Sequence, residues 1–431
     1  MRETPMHDEP PPRFPVEQWR LANGLRVVVQ TDSAAPLVAL VMCYGAGSRR
    51  DPVSRSGLAH LCEHLAFQGP ELAGGFPARI ENAGGSTQAY TMTDRLCFSA
   101  MFPRRELATV LAVEAERMAR PLQPQDREAL EIQRRVLLEE LRERSQHRIR
   151  AAAFEQIHRL LFPPEHPYHR PPVGEPEGIR AVTAEDVESF AAAHFSPDNA
   201  VLVLVGDLSV PATAELVHRL FAGLPAGRER APEAAPEASL PPGVRQRSVP
   251  AAVTQAQAHV AWTVPGFGQD GWYLASLLMR GLAVGRSSPL ARELVEQAGL
   301  AQEVHGYLVT MRDASTLVFA ATAARGVDGH RLEQGLLAAA DLLLSRGLSA
   351  SGMARARRKA LSDHYFAAQS FDWRADLCAS LACYLATPER LEEEPRRYLG
   401  PDQDAIAGFA GRLRQAPSRA VLSFAPAREA A

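Results

Sequence analysis

The chain has 431 residues, a length that predicts about two or three domains with ample hydrophobic core. A net charge of −3 argues against a nucleic-acid partner, and no apolar run is long enough to predict a membrane span. The first twelve residues lack the apolar core of a signal peptide. The five cysteines are an odd number without a Cys-x-x-Cys pair. This usage favours reduced thiols and a cytoplasmic location.

The first predicted elements are two strands. Asn23-Gly24 is a turn signal, and a β-branched run to Val29 follows it. Residues 38–44 predict a second strand. Residues 45–51, rich in Gly, Ser and Arg, predict the loop that leads to the next helix.

The next segment, residues 57–69, carries the pattern His60-x-x-Glu63-His64. Imidazoles four residues apart lie on one face of a helix, where they can hold a single zinc ion. Glu63 reaches the same side and is placed to take a proton from an attacking water. The order inverts the commoner His-Glu-x-x-His pattern.

The same segment has an apolar stripe, which predicts a buried helix. The stripe consists of Leu58, Leu61, Leu65 and Phe67. Unpaired ionisable groups are costly in such a place, and a metal would satisfy them. We therefore favour a metal site over the alternative of two histidines on an ordinary amphipathic helix.

A third ligand is expected from the charged helical stretch at residues 125–150, because catalytic zinc usually takes three protein ligands. The acidic candidates on it are Glu131, Glu139, Glu140 and Glu143. Most acids on such a helix are simply solvated. Periodicity does not choose between Glu139 and Glu140.

These motifs resemble the pitrilysin and mitochondrial-processing-peptidase family of metallopeptidases, in its short bacterial form. Residues 135–141 match the family's ligand-bearing helix, with Glu140 at the ligand position. The resemblance implies that His60, His64 and Glu140 bind one zinc ion and that Glu63 is the general base. This ligand set favours zinc without excluding manganese or cobalt. Gln133 stands where the family often has a second Glu.

Further matches follow in chain order. Residues 83–91 resemble the family's glycine turn and the edge strand on which substrate lies. The resemblance implies substrate contacts from Gln88, Ala89, Tyr90 and Thr91, with Gln88 at a position where Asn is common. Residues 166–174 resemble a loop that borders the site. Residues 199–207 predict a strand that closes the first domain.

The chain divides into two halves of similar character. Residues 225–250 contain Pro225, Pro232, Pro236, Pro241, Pro242 and Pro250 and predict an extended linker. In the second half, strands are predicted at 257–263 and 314–322, and helices at 272–284, 326–345 and 349–369. We expect an α+β fold. It comprises a zinc-binding catalytic domain (1–224) and a non-metal-binding domain of the same fold (251–431), each with an antiparallel-rich sheet and helices on one face. Together they would form half of a clamshell.

One family feature is missing from the second half. Active members usually carry an Arg and a Tyr seven residues apart, and here those positions hold Val295 and Gln302. Arg292 and Tyr307 lie nearby but out of register. The resemblance therefore implies a homologous partner subunit that supplies the Arg and the Tyr. A heterodimer is expected, and a homodimer remains possible.

The sequence thus predicts a zinc-dependent endopeptidase subunit acting on peptides or unfolded segments, weak or inactive alone. The first alternative is a structural or peptide-binding subunit of a peptidase-like complex with a retained zinc site. A weaker alternative is hydrolysis of a non-peptide amide.

Overall fold

The computed structural model describes residues 13–68, 75–119, 127–147, 149–227, 243–416 and 418–426. The segment without a signal-peptide core, residues 1–12, lies outside the described residues. So does most of the predicted linker, residues 228–242. Among the described residues, no helix has both the length and the apolar character needed to cross a bilayer.

The described strands form two sheets, one from each half. The first sheet contains β1 (Val16–Arg20), β2 (Arg26–Thr31), β3 (Leu37–Tyr44), β4 (Ser86–Thr91), β5 (Leu96–Pro103) and β6 (Ala200–Gly206). The second contains β7 (Gly243–Ala251), β8 (Gln257–Pro265), β9 (Ala301–Val309), β10 (Ala314–Ala323) and β11 (Ser418–Pro426).

The two sheets have the same topology apart from β1. Their strand orders are β1-β2-β6-β3-β5-β4 and β7-β11-β8-β10-β9. One parallel pair occurs in each, β2 with β6 and β7 with β11, and the other pairs are antiparallel. The predicted pair of similar sheet-and-helix units is confirmed.

The helices of the first half lie between and after its strands. They are α1 (Leu58–Gln68), α2 (Gly75–Asn82), α3 (Leu107–Ala119), α4 (Arg127–His147), α5 (Ile149–Leu161), α6 (Pro176–Ala181), α7 (Ala184–His194) and α8 (Val210–Phe221).

The described helices of the second half lie between its strands. They are α9 (Asp270–Ala283), α10 (Pro289–Ala291), α11 (Gly329–Arg346), α12 (Ala350–Ala367), α13 (Phe371–Leu385), α14 (Glu394–Leu399) and α15 (Gln403–Arg414). A π-helical segment, Arg292–Gln297, follows α10. Ser349 caps the start of α12, since its side chain accepts a hydrogen bond from the Gly352 N–H.

Alternation along β3 shows how the first sheet is buried on both faces. Val38, Leu40, Met42 and Tyr44 pack with residues of α3 and α8, whereas Ala39, Val41 and Cys43 face a core shared with the second half. That shared face is covered by α13. Conversely, α5 of the first half packs on the second sheet, against β11. Each half therefore completes the core of the other.

The expected linker needs one correction. Residues 243–250, assigned to it because the proline-containing stretch runs to Pro250, belong to β7, which pairs in parallel with β11. Pro250 lies near the end of β7, an outer strand of the sheet, where a missing N–H is tolerated.

Candidate metal centre and active site

The position of α1 is set at its N-terminus by Asp51. One carboxylate oxygen of Asp51 accepts from the Gly57 N–H at 2.7 Å and the other from the Ala59 N–H at 2.8 Å. The carboxylate satisfies N–H groups that a helix start leaves unpaired. Burial raises the pKa of Asp51 to about 7, although these hydrogen bonds oppose the shift. Asp51 is the last residue of the loop, residues 45–51, that the sequence predicts before this helix.

Two glycines bring the 166–174 loop against this helix start. Gly57 and Gly174 both have positive φ, +102° and +88°. A Cβ on Gly174 would lie 2.4 Å from the Gly57 Cα atom. The close approach places the Val173 carbonyl 3.3 Å from Nδ1 of His60. The loop therefore borders the site, as the resemblance implied, and contacts the expected ligand His60 directly.

The three expected ligands converge. Oε2 of Glu140 lies 3.8 Å from Nε2 of His60 and 3.7 Å from Nε2 of His64. The ligand atoms all lie within 4.8 Å of one another. Among the described residues, this is the one group of three metal-ligating side chains close enough for a single ion. α4 thus presents Glu140 to α1.

The rings are oriented by hydrogen bonds on their far nitrogens. Nδ1 of His60 faces the Val173 carbonyl, and Nδ1 of His64 lies 3.2 Å from Oε1 of Gln133. Both contacts leave Nε2 directed toward Glu140. Burial lowers the pKa of His64, partly offset by Gln133 and Glu140. A lowered pKa favours the neutral imidazole, which is the form that binds a metal.

This donor set fits zinc. Zinc–ligand bonds of about 2.0–2.1 Å in a tetrahedron place neighbouring ligand atoms about 3.3 Å apart. The distances from Glu140 to the two imidazoles exceed that value by only a few tenths of an ångström. Two imidazoles and one carboxylate also leave a coordination position open, which is typical of catalytic zinc sites.

Glu63 lies beside the three expected ligands. Its Oε2 is 3.9 Å from Nε2 of His60, and it accepts a hydrogen bond of 3.0 Å from Oγ1 of Thr91. Glu63 is only 6% exposed. The Thr91 contact joins the expected base to β4, whereas the sequence predicts only a substrate contact for Thr91.

β4 is the edge of the first sheet on the side of α1. It pairs with β5 through Gln88 opposite Ser99 and Thr91 opposite Leu96. Gln88 is exposed, whereas Ala89, Tyr90 and Thr91 are half-buried. An edge strand next to a metal site offers main-chain groups to an extended peptide.

Tyr90 connects β4 to α13 of the second half. Its hydroxyl donates to Asp376 on α13, and Nη2 of Arg95 donates to the other oxygen of that carboxylate at 2.9 Å. Tyr90 therefore links the edge strand to the second half, so the structure does not support a simple substrate-facing role for its hydroxyl.

The other acidic candidates on α4 are not in the ligand group. The Glu139 side chain is 69% exposed and lies 3.9 Å from Nη1 of Arg142, and Glu131 pairs with Arg134. Glu143 is exposed. α4 is thus oriented so that Glu140 faces α1 while its neighbour Glu139 faces solvent.

In the second half, the positions at which the family usually has Arg and Tyr hold residues of different chemistry. Val295 is half-buried in the π-helical segment, and Gln302 is exposed on β9. Arg292 is exposed, and Tyr307 is half-buried on β9 with its ring 5.9 Å from that of His305.

Two family models match consecutive parts of the chain. "Insulinase (Peptidase family M16)" matches residues 26–167, and "Peptidase M16 inactive domain" matches residues 181–360. The chain belongs to the pitrilysin family of peptidases. The first model covers the three candidate ligands. The second covers a region in which the described residues form no metal-ligating group of three.

Relatives of this pitrilysin-family chain include the zinc protease PqqE of Helicobacter pylori. It is 28% identical over 330 residues, 75% of this chain and 73% of that protein. The probable mitochondrial-processing peptidase subunit beta of Schizosaccharomyces pombe is 25% identical over 312 residues, 69% of this chain and 67% of that protein.

Solved structures share the fold. A protease from Helicobacter pylori superimposes with a TM-score of 0.85 at 22% identity, covering 96% of this chain and all of that one. The periplasmic protease PqqL of Escherichia coli gives a TM-score of 0.76 at 17% identity, covering 95% of this chain and 47% of that one. The present chain thus corresponds to about half of that protease.

Proposed function

We propose that the chain is the zinc-bearing subunit of an endopeptidase that hydrolyses peptides or unfolded segments. The observation that carries the proposal is the convergence of His60, His64 and Glu140, with Glu63 and the edge strand β4 beside them. A site of purely structural zinc usually has four protein ligands and needs no base.

The protein groups would act as follows. Zinc, held by His60, His64 and Glu140, would supply Lewis acidity toward the scissile carbonyl and the attacking water. Glu63 accepts a proton from that water and later passes it to the leaving amine. β4 aligns the substrate backbone through main-chain hydrogen bonds, a mode that gives loose sequence preference.

The test of the base is Glu63→Gln, which keeps the side-chain shape and removes the proton acceptor. We expect the variant to retain zinc and to lose activity by about 10²–10⁴-fold, the usual contribution of a general base. Zinc content and hydrolysis of an unstructured fluorogenic peptide are measured together, with the homologous partner chain present.

Glu139→Gln is the matched control, since it makes the same chemical change on an exposed neighbour of Glu140. Glu139→Gln should leave both the zinc content and the rate of peptide hydrolysis unchanged. A Glu63→Gln protein with normal turnover would remove Glu63 from the mechanism.

A partner subunit completes the proposal. Val295 and Gln302 occupy the positions of the family's Arg and Tyr, and a neighbour of the same fold is twice as long. We expect the chain alone to be weak or inactive and to gain activity when mixed with a co-encoded homologous chain. Full activity of the purified chain, unaffected by such a partner, would contradict this assignment.

The same two positions favour a second candidate function, a structural or peptide-binding subunit that retained its zinc site. Zinc bound with no hydrolysis, alone or in the mixture, would support it over the peptidase.

A further inference from the structure

Three thiols meet where α13 of the second half packs on the first sheet. Cys43 on β3 lies opposite Cys97 on β5 in the antiparallel register, and Cys383 is on α13. Sγ of Cys383 lies 3.1 Å from Sγ of Cys43. A disulfide bond is about 2.05 Å long, so these two sulfurs are about 1 Å farther apart than bonded ones.

We propose that Cys43 and Cys383 form a modification site, a dithiol that a small hydroperoxide oxidises to a disulfide joining the two halves. The contact between their sulfurs, across the core shared by both halves, carries the proposal.

The third thiol does not make this a metal site. Among the described residues, only His60, His64 and Glu140 bring three metal-ligating groups close enough for one ion. Cys97 instead accepts a contact of 3.7 Å from Nη1 of Arg95. The proposed reactive unit is the Cys43–Cys383 pair, because the sulfurs of these two residues are in direct contact across the two halves.

Exposure decides which sulfur reacts first. Cys43 and Cys97 are 0% exposed, whereas Cys383 is half-buried. The contact with Cys43 lowers the pKa of Cys383, and Arg26 and Arg95 act in the same direction against the effect of burial. Burial raises the pKa of Cys43. We assign Cys383, the less buried of the two residues, as the thiol that reacts first and Cys43 as the resolving thiol.

The chemistry balances with hydrogen peroxide as oxidant. The Cys383 thiolate attacks one peroxide oxygen, the O–O bond breaks, and Cys383 becomes a sulfenic acid as hydroxide leaves. The Cys43 sulfur then attacks the Cys383 sulfur, forming the S–S bond and releasing water. Overall, two thiols lose two hydrogens and one peroxide becomes two waters.

The bond would fix α13 on the first sheet. Asp376, two turns before Cys383 on the same helix, already binds Arg95 and Tyr90. The two cysteines are 340 residues apart in sequence, so the crosslink strongly restricts the unfolded chain. We expect oxidation to raise Tm by several degrees.

The experiment treats the reduced full-length chain with hydrogen peroxide in its native state. Remaining thiols are then alkylated after denaturation, counted by intact mass and mapped by peptide mass spectrometry. We expect alkylated thiols to fall from five to three, because two of the five cysteines are consumed. A linked Cys43–Cys383 peptide should appear, and dithiothreitol should reverse both the link and the Tm increase.

Peptide mapping of the wild-type chain needs no substituted protein, so this part of the test does not depend on whether a variant folds. Cys383→Ser should abolish the link, whereas Cys378→Ala on the same helix and Cys97→Ala should preserve it. Five alkylated thiols after treatment, a link between other cysteines, or oxygen adducts on Cys383 without a link would each overturn the proposal. None of these readouts requires peptidase activity.

Discussion

At the level of single residues, the two histidines on α1 are held by different groups. His60 faces a main-chain carbonyl, that of Val173, and His64 faces the side chain of Gln133. Gln133 occupies the place where the family often has a carboxylate. A neutral amide orients the ring through the same kind of contact but supplies no negative charge, so it raises the basicity of His64 less than a carboxylate would.

The proposed base has a specific partner in Thr91, which we expect to position it. Thr91→Val removes the hydroxyl that donates to Glu63 and keeps the β-branched shape. A hydrogen bond to a charged group contributes about 1.5–3 kcal/mol, so kcat should fall by about 10–100-fold with little change in KM. Steady-state kinetics of the complex with its partner measure both constants.

Thr91→Ser, which restores a hydroxyl, should recover most of the lost kcat. Thr87→Val on the same strand is the control, because its hydroxyl donates to the Ser99 carbonyl and not to Glu63. A rise in KM alone in Thr91→Val would show that Thr91 serves only the substrate strand.

At the level of elements, the candidate metal site depends on how the 166–174 loop packs against α1. Gly174 lets the 166–174 loop lie against the start of α1, and the Val173 carbonyl then reaches His60. The edge strand β4 is fixed at two points. The Thr91 hydroxyl donates to Glu63 on α1, and the Tyr90 hydroxyl donates to Asp376 on α13.

Gly174→Ala tests the loop contact. Its Cβ would collide with the Gly57 backbone, and φ is +88°, so the loop must move away from α1. We expect a loss of stability of about 1–3 kcal/mol and weaker zinc binding. Urea unfolding of the metal-free chain and a zinc competition titration measure the two effects separately.

Two glycines serve as controls for this variant. Gly299 has a φ of +60° and open space around it, so Gly299→Ala reports backbone strain alone. Gly223 has open space and no positive φ, and Gly223→Ala should be nearly neutral. Equal zinc affinity in Gly174→Ala and Gly299→Ala would argue against a role of the loop at the metal site.

At the level of the whole molecule, a buried histidine joins the halves and makes stability depend on pH. Nδ1 of His158 on α5 faces the Tyr168 carbonyl, and its Nε2 lies 3.3 Å from the Thr316 hydroxyl on β10. Burial lowers the pKa of His158 to about 3. In the unfolded chain the pKa returns to about 6.5.

The direction of this pH dependence follows from proton uptake by the unfolded chain. Below about pH 6.5 the unfolded chain binds a proton that the folded chain excludes, so stability is full above that pH and is lost as pH falls toward 3. At pH 5 the cost from His158 is about 2 kcal/mol, since each pKa unit corresponds to about 1.4 kcal/mol.

The variant His158→Gln should therefore lose less stability than the wild type between pH 7 and pH 5, even if it is less stable at both. Denaturant unfolding of the metal-free chain at the two pH values gives the comparison. His218→Gln, on the exposed face of α8, should keep the wild-type slope. An unchanged slope in His158→Gln would exclude His158 as a source of the pH dependence.

The sequence by itself determined what depends on local spacing. His60, Glu63 and His64 share a helix face because helical geometry brings residues three and four apart together. The Asn23-Gly24 turn and the alternating strands follow from turn chemistry and side-chain period. The family resemblance pointed to Glu140 and to the edge strand, and the similar halves predicted two similar sheets.

Only the tertiary structure decided what depends on the placement of distant elements. Glu139 and Glu140 are adjacent on α4 and periodicity does not choose between them, whereas the rotation of α4 brings Glu140, not Glu139, to the two histidines. Thr91, Val173 and Cys383 acquire their partners through packing across long sequence separations. The exchange of α5 and α13 between the sheets has the same origin. Periodicity reports which face of an element is buried, but not which other element covers it.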